Sequence, residues 1–197
     1  MTEPTYAPDA NQKPLQGAIL EAALVVWGKA GGQRLIPITG RSMLPLIRDG
    51  DYVLVAHGCT GVRRGDVVVF RHRSKLFAHR VLAACKGIAG ATFVTKGDNV
   101  PHFDPPIGNR EIIGRVISIR RGRWHMPLDT GAWRIVGWLI AVSALAVEKL
   151  RSLGGNRDRE PSERRHNRLG AFLSRVARNF SLIIRKIVFM ALCRWKE

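Results

Sequence analysis

The stretch "RRGDVVVFRHRSKLFAHRVLAA", residues 63–84, decides the fold class because it holds two short apolar runs separated by charged residues. Runs of this length, rich in β-branched and aromatic residues and bounded by turn residues, are typical of β-strands. Four similar runs lie between residues 34 and 122: "RLIPIT", "DYVLVA", "TFVTK" and "IIGRVISIR". We therefore expect a mostly β, antiparallel domain, a compact sandwich or coiled barrel rather than a doubly wound sheet.

Charge is unevenly distributed along the 197-residue chain, whose net charge is +17. Residues 1–130 carry 18 Lys/Arg against 10 Asp/Glu, whereas residues 131–197 carry 14 against 5. The last third is thus about twice as basic per residue, which suits nucleic acid, an anionic membrane surface or a solvated basic face.

Three cysteines, at positions 59, 85 and 193, form no CxxC pair. Their odd number and wide spacing favour reduced thiols over a disulfide framework or a zinc site. We expect no metal and no cofactor.

The segments outside the β region differ in character. The first 14 residues are polar and acidic, without the basic start and apolar middle of a signal peptide, and predict a disordered leader. Residues 15–27 have helical apolar spacing, and "GKAGG" ends that helix. Residues 15–130 are therefore expected to form one domain with an N-terminal helix.

Beyond this domain, residues 131–150 form an apolar helix with no charge between Ile135 and Val147. Its length is near the lower limit for a bilayer span, so spanning, lying at the interface and burial within the protein all remain open. Residues 151–168 predict a charged linker, and residues 169–197 a basic amphipathic helix that suits a membrane anchor or a partner protein.

Ser42 lies in "GRSMLP", which on local grounds predicts an ordinary tight turn between strands. A serine hydroxyl is a poor nucleophile unless a base lies within hydrogen-bond reach. Whether Ser42 is more than a turn residue therefore depends on the rest of the chain.

Three sequence boxes, in order, give the chain a resemblance to a known family. The first is Ser-Met-x-Pro followed by Gly-Asp and an apolar strand, the second is Arg-Gly-Asp with an apolar run and then a base before Arg-Val, and the third is Lys-Gly-Asp-Asn with a later aspartate. Together they resemble the signal peptidase I superfamily of serine endopeptidases (peptidase types S24 and S26), which includes the self-cleaving repressors of the SOS response. The residues that carry the resemblance are Ser42, Met43, Pro45, Gly50, Asp51, Arg64, Gly65, Asp66, His79, Arg80, Val81, Lys96, Gly97, Asp98, Asn99 and Asp104, and Gly114 to Val116 resembles the closing strand.

The resemblance implies a coiled β-sheet catalytic domain, here with an N-terminal helix and C-terminal helices, that uses Ser42, His79 and an aspartate. Most bacterial signal peptidases and the repressors place lysine at the position of His79, so the chain resembles the histidine-base subtype. A neutral imidazole, with a pKa near ~6.5, accepts a serine proton without the deep burial that a lysine base requires. In the histidine-type enzymes the later aspartate is usually the partner of the base, which assigns Asp104 first and Asp98 second.

Two further positions are expected to shape the oxyanion and substrate site, Gly40 and Met43. The backbone N–H of Ser42 is the expected first oxyanion donor. Family members often have a hydroxyl two residues before the nucleophile, where this chain has Gly40. The second donor is therefore either backbone or the Thr39 side chain. His102 is the main rival base because it lies close to Asp104 in sequence.

The leading functional prediction is a serine endopeptidase that cleaves an extended peptide or precursor, with small residues near the cut implied by the resemblance. A DNA-binding repressor with a self-cleavage domain is the second hypothesis, although no helix-turn-helix fits in the first 33 residues. A non-catalytic membrane adaptor is the third. We expect a peptide or precursor partner, no specific nucleic acid, and membrane association through the C-terminal helices with a cytoplasmic-facing catalytic domain.

Overall fold

The computed structural model describes residues 32–58, 61–72, 75–87 and 90–154. The strands are β1 (Gly32–Pro37), β2 (Tyr52–His57), β3 (Val67–His72), β4 (Lys75–Gly87), β5 (Gly90–Lys96), β6 (Ile107–Gly108), β7 (Ile112–Arg121) and β8 (Trp124–Pro127). A 3-10 turn (Asn109–Glu111) precedes β7, and helix α1 (Gly131–Gly154) follows β8.

One antiparallel sheet contains all eight strands, in the order β1-β2-β7-β3-β4-β5-β6, with β8 paired to β7. Register shifts at Leu54/Val55, Val69/Phe70 and Val81/Ala83 bend the sheet, as bulges do. The expected mostly β, antiparallel fold is confirmed.

Strand β3 forms the centre of the core because both of its faces are covered. Val67 to Phe70 are all at most 3% exposed. Val67 and Val69 belong to an apolar cluster with β2, β7 and the loop after β1, whereas Val68 and Phe70 pack against Val81, Phe93 and Ile107. The unbroken apolar run at 67–70 reflects this two-sided burial.

Helix α1 packs against the sheet with one face. Ala141 and Ala144 contact Leu82 of β4, and Trp133 packs on the cluster beneath the loop after β1. A Cβ built on Gly137 would lie 2.6 Å from the carbonyl oxygen of Gly65. The backbone of α1 can approach the turn before β3 this closely because both positions are glycine.

Within the described ranges, α1 is the one helix whose length and composition suffice to cross a membrane, over Gly131–Lys149 with a mean hydropathy of 1.4. Core helices of soluble proteins share this property, and 22% of that stretch is buried here.

The helix continues to Gly154, four residues into the segment expected to be a charged linker. The remainder of that linker, the leader at 1–14, the helix at 15–27 and the amphipathic segment at 169–197 lie outside the described residues.

Candidate active site

Ser42 lies in the loop that joins β1 to β2, and backbone hydrogen bonds close the base of this loop. Ile38 N–H donates to Asp51 O at 2.8 Å, and Gly50 N–H donates to Ile38 O at 3.0 Å. The Met43 side chain is 3% exposed and anchors the turn from below. Ser42 itself is only partly buried, so its hydroxyl stands on a supported turn at the surface.

Gly40 shapes the same turn through its backbone. Its φ of 100° lies in the left-handed region that favours glycine, and its N–H donates to Asp49 Oδ1 at 2.8 Å. That N–H is therefore already engaged, while Thr39 beside it is exposed.

His79 approaches the serine from the middle of β4, directly opposite Val68 of β3. Its Nε2 lies 3.1 Å from Ser42 Oγ. The Phe70 and Phe77 rings lie beside the imidazole, with centroids 6.0 and 5.7 Å from it. Strand pairing fixes the backbone of His79, and the two aromatic rings limit the space open to its side chain.

Asp104 completes the group from the other side of the ring. Its Oδ2 lies 2.7 Å from His79 Nδ1, and the hydroxyl of the fully buried Thr95 donates to the same oxygen at 2.8 Å. Because an ionised carboxylate only accepts hydrogen bonds, Nδ1 carries the proton of the neutral ring. The Nε2 lone pair then faces the Ser42 hydroxyl, as a general base requires.

The turn at 97–99 holds the serine loop against the histidine. Asn99 N–H donates to Ser42 O at 2.7 Å, and its side-chain Nδ2 donates to Arg41 O at 3.1 Å. A Cβ on Gly97 would lie 2.7 Å from Ser42 O and 3.1 Å from His79 Nε2, which leaves no space for a side chain. The Asp98 N–H also contacts Met43 Sδ at 3.4 Å.

Asp98, the second aspartate assigned from the sequence, is paired with another residue. Its carboxylate accepts from Arg80 Nε at 2.9 Å and from Arg80 Nη2 at 2.7 Å. Both side chains are at most 4% exposed, and Arg80 Nη1 donates to Gly65 O at 2.7 Å. Asp98 therefore holds Arg80 beneath the site, and Asp104 contacts the imidazole.

The other polar residues of the boxes form braces. Asp51 accepts from Arg121 at 2.8 and 2.7 Å and joins the start of β2 to the end of β7. Asp66 accepts the Arg63 N–H at 2.9 Å across the turn before β3. His102, the rival base, is exposed, and His79 is the imidazole beside Ser42.

Thr95 and Asn99 were not assigned site roles from the sequence. Thr95 is two residues before Gly97 in an alternating strand, so its inward direction could have been read from Phe93 and the period of two. That its hydroxyl meets Asp104 depends on the loop at 97–104, for which the sequence holds no such signal.

The arrangement can transfer a proton from the Ser42 hydroxyl to His79 while Asp104 stabilises the resulting imidazolium. A family model described as Peptidase S24-like matches residues 8–117, which include Ser42, His79 and Asp104. No curated protein and no solved structure matches the chain. The match covers more than half of the chain, which therefore belongs to the Peptidase S24-like family.

Proposed function

We propose that the protein is a serine endopeptidase in which Ser42 is the nucleophile, His79 the general base and Asp104 the group that orients the imidazole. The observation that carries the proposal is the continuous chain of contacts from Ser42 Oγ to His79 Nε2 at 3.1 Å and from His79 Nδ1 to Asp104 Oδ2 at 2.7 Å. Family membership supports peptidase chemistry in general.

In the proposed reaction, Ser42 Oγ attacks the scissile carbonyl as its proton passes to His79 Nε2. The Ser42 N–H stabilises the oxyanion. The imidazolium then gives its proton to the leaving amine, and the C–N bond breaks to leave an acyl-enzyme. Water, deprotonated by the same nitrogen, attacks the ester carbonyl. The bond to Ser42 Oγ then breaks, Oγ takes the proton back from His79, and the acyl group leaves as a carboxylic acid.

An extended peptide is the proposed substrate, with small residues near the cut as the resemblance implies. Strand β1 supports this because, among the described residues, it pairs on one side only, with β2, and leads directly to the Ser42 loop. An edge strand can pair with an added strand.

Covalent labelling with a fluorophosphonate probe, combined with cleavage of a peptide library, tests the proposal. Ser42→Ala and His79→Ala should each abolish labelling and cleavage while the circular dichroism spectrum stays native. Ser152→Ala and His125→Ala are the matched controls, because both residues are exposed and lie on α1 and β8, which contribute none of the three site residues. Activity that survives in both site variants would contradict the assignment.

Self-cleavage is the second candidate function, because the superfamily that the boxes resemble includes repressors that cut themselves. Incubation of the pure protein without added peptide separates the two. If the first-order rate constant for loss of the intact chain does not depend on protein concentration, the cleavage occurs within one molecule. Salt-dependent DNA binding of the same sample would support the repressor hypothesis.

A protein that neither reacts with the fluorophosphonate probe nor cleaves peptides would instead favour the non-catalytic adaptor.

Membrane association is part of the proposal, with the catalytic domain facing the cytoplasm. The support is one apolar helix among the described residues and the basic, amphipathic spacing of residues 169–197. Reporter fusions that work only inside or only outside the cell test the side. Activity of the outer reporter alone would reverse it.

A further inference from the structure

Helix α1 has a second apolar face, opposite the one that packs on the sheet. Ile135 is 63% exposed, and Trp138 and Leu139 are each 47% exposed. The three- and four-residue spacing continues through Val142 and Ala146, so these five residues form one stripe along the helix. We call them the outer stripe.

The docked face limits how the helix can meet a bilayer. Contacts with the domain run from Trp133 to Leu145, about 18 Å of helix at ~1.5 Å per residue. The nine described residues from Ala146 to Gly154 extend only about 14 Å further, less than half of a ~30 Å hydrocarbon core. A spanning α1 would have to leave Leu82 and Gly65 or draw the buried Arg80–Asp98 pair into lipid, which is costly.

Charge favours an anionic surface as the partner of the outer stripe. Residues 32–154 carry 19 Lys/Arg against 8 Asp/Glu, a net charge of +11. Arg134 and Lys149, both exposed, lie near the two ends of the stripe. An apolar face with an aromatic side chain and flanking cations suits the interface of an anionic bilayer.

A second copy of the chain fits this face poorly. The stripe is about 17 Å long and a helix about 10 Å wide, so it covers far less than the ~800 Å² per partner of a stable interface. Two copies would also bring two strongly positive surfaces together.

We propose that α1 lies flat in the headgroup region of an anionic lipid bilayer, with the outer stripe inserted and the opposite face still docked on β4. The inference rests on the proposed membrane association and specifies its geometry. It decides among spanning, interfacial and buried placements in favour of the interface.

The docked geometry also turns the imidazole of the candidate site away from the helix. Gly137 and Ala141 cover the face of β4 that carries Arg80 and Leu82, while His79 points to the opposite face by strand alternation. The Ser42 loop lies nearer to the start of α1, because Met43 belongs to the core cluster on which Trp133 packs.

Depth-dependent quenching on the full chain tests the orientation. Cys59, Cys85 and Cys193 are replaced by serine, and single cysteines at positions 135, 139, 142 and 146 carry an environment-sensitive fluorophore. Vesicles of phosphatidylglycerol and phosphatidylcholine contain lipids brominated at shallow or deep acyl positions. We expect equal, shallow quenching at all four positions and none at a Thr92→Cys control, an exposed site on β5.

Three outcomes would overturn the inference, and they differ in meaning. Deep quenching that peaks at position 142 indicates a span. Vesicle binding without quenching at any of the four positions shows that protein covers the stripe, and leaves membrane association intact. Failure to bind anionic vesicles at all removes membrane association as well. Fluorophosphonate labelling of Ser42 in the same samples reports the peptidase proposal separately.

Discussion

Strand β4 carries two carboxylate pairs on its opposite faces, formed by adjacent residues. On the front face, His79 contacts Asp104, whose side chain is 21% exposed. On the back face, Arg80 grips Asp98 with two hydrogen bonds, and both side chains are at most 4% exposed. The front pair contains an imidazole, which has a nitrogen lone pair facing the Ser42 hydroxyl, whereas the guanidinium of the back pair only donates hydrogen bonds. One strand can therefore hold a reactive pair and a structural pair, because successive side chains point to opposite faces of the sheet.

The largest expected effect comes from the front face. Asp104→Asn should lower the rate of Ser42 labelling or peptide cleavage by about 10³–10⁴-fold, because an amide no longer holds the proton on Nδ1. Thermal unfolding should change little, since Asp104 is partly exposed. A rate close to that of the unmodified protein would mean that His79 is oriented by something else.

Substitutions on the back face of β4 should change the free energy of unfolding. Asp98→Asn leaves the buried Arg80 charge without its carboxylate and should reduce the free energy of unfolding by about 3–5 kcal/mol, measured in urea. The matched control is Arg80→Met with Asp98→Leu, which removes both charges and should recover much of the loss. A single variant as stable as the parent would show that the pair contributes little.

Gly137→Ala sharpens the comparison at the helix that covers the back face. The new Cβ would meet Gly65 O at 2.6 Å and Arg80 Nη1 at 3.1 Å, so α1 must shift. We expect a loss of about 1–3 kcal/mol, as in other overpacked sites. In Gly131→Ala, the control, the Cβ meets nothing within 4 Å and stability should not fall. Equal stability of the two variants would indicate that α1 moves away from the sheet at little cost.

Thr95→Val returns to the front face with a smaller change. Valine keeps the shape but removes the O–H donor to Asp104, a hydrogen bond worth about 1–2 kcal/mol, so the cleavage rate should fall about tenfold. Thr95→Ser should restore it, and Thr92→Val on the exposed face of β5 should have no effect. A loss of stability without a loss of rate would place Thr95 with the structural residues instead.

Acid conditions provide the smallest and most selective test. Burial within β2 lowers the pKa of His57 below its usual 6.5. A hydrogen bond to the Ile113 backbone raises this pKa, and the positive charge of Arg34 lowers it further. Below pH 6.5 the unfolded chain therefore takes up a proton that the folded chain does not, and stability falls as pH falls. The Tm of the parent should drop more steeply between pH 7 and 5 than that of His57→Gln. Parallel curves would show that His57 does not contribute to acid unfolding.

Local sequence patterns were sufficient to predict most strands of the sheet. Each β-branched run between residues 34 and 122 forms a strand, because pleating and burial act on a few residues at a time. Strands β6 and β8 were missed: the first has two residues, and the second, "WHMP", has no alternating pattern. Their pairing depends on β5 and β7, which lie elsewhere in the chain.

Local sequence patterns could not predict which of the site residues contact one another. The boxes identify Ser42, His79 and the two aspartates, but strand alternation alone does not decide which aspartate reaches the imidazole. The loop at 97–104 decides it: Asp98 contacts Arg80, and the chain returns to place Asp104 beside Thr95. The contact of Gly137 with Gly65 likewise joins residues 72 positions apart, and neither glycine signals the other.

The glycine contact between α1 and the sheet has a practical consequence for anyone who shortens this protein for crystallography or labelling work. A version that stops at residue 130 follows the apparent end of the β region, but it strips the cover from Leu82 and leaves the Arg80–Asp98 pair open to water. A version that ends after Gly154 retains all of the described helix and keeps that surface closed. Solubility trials should therefore begin with the longer piece, in a mild detergent that shields the helix's outward apolar side.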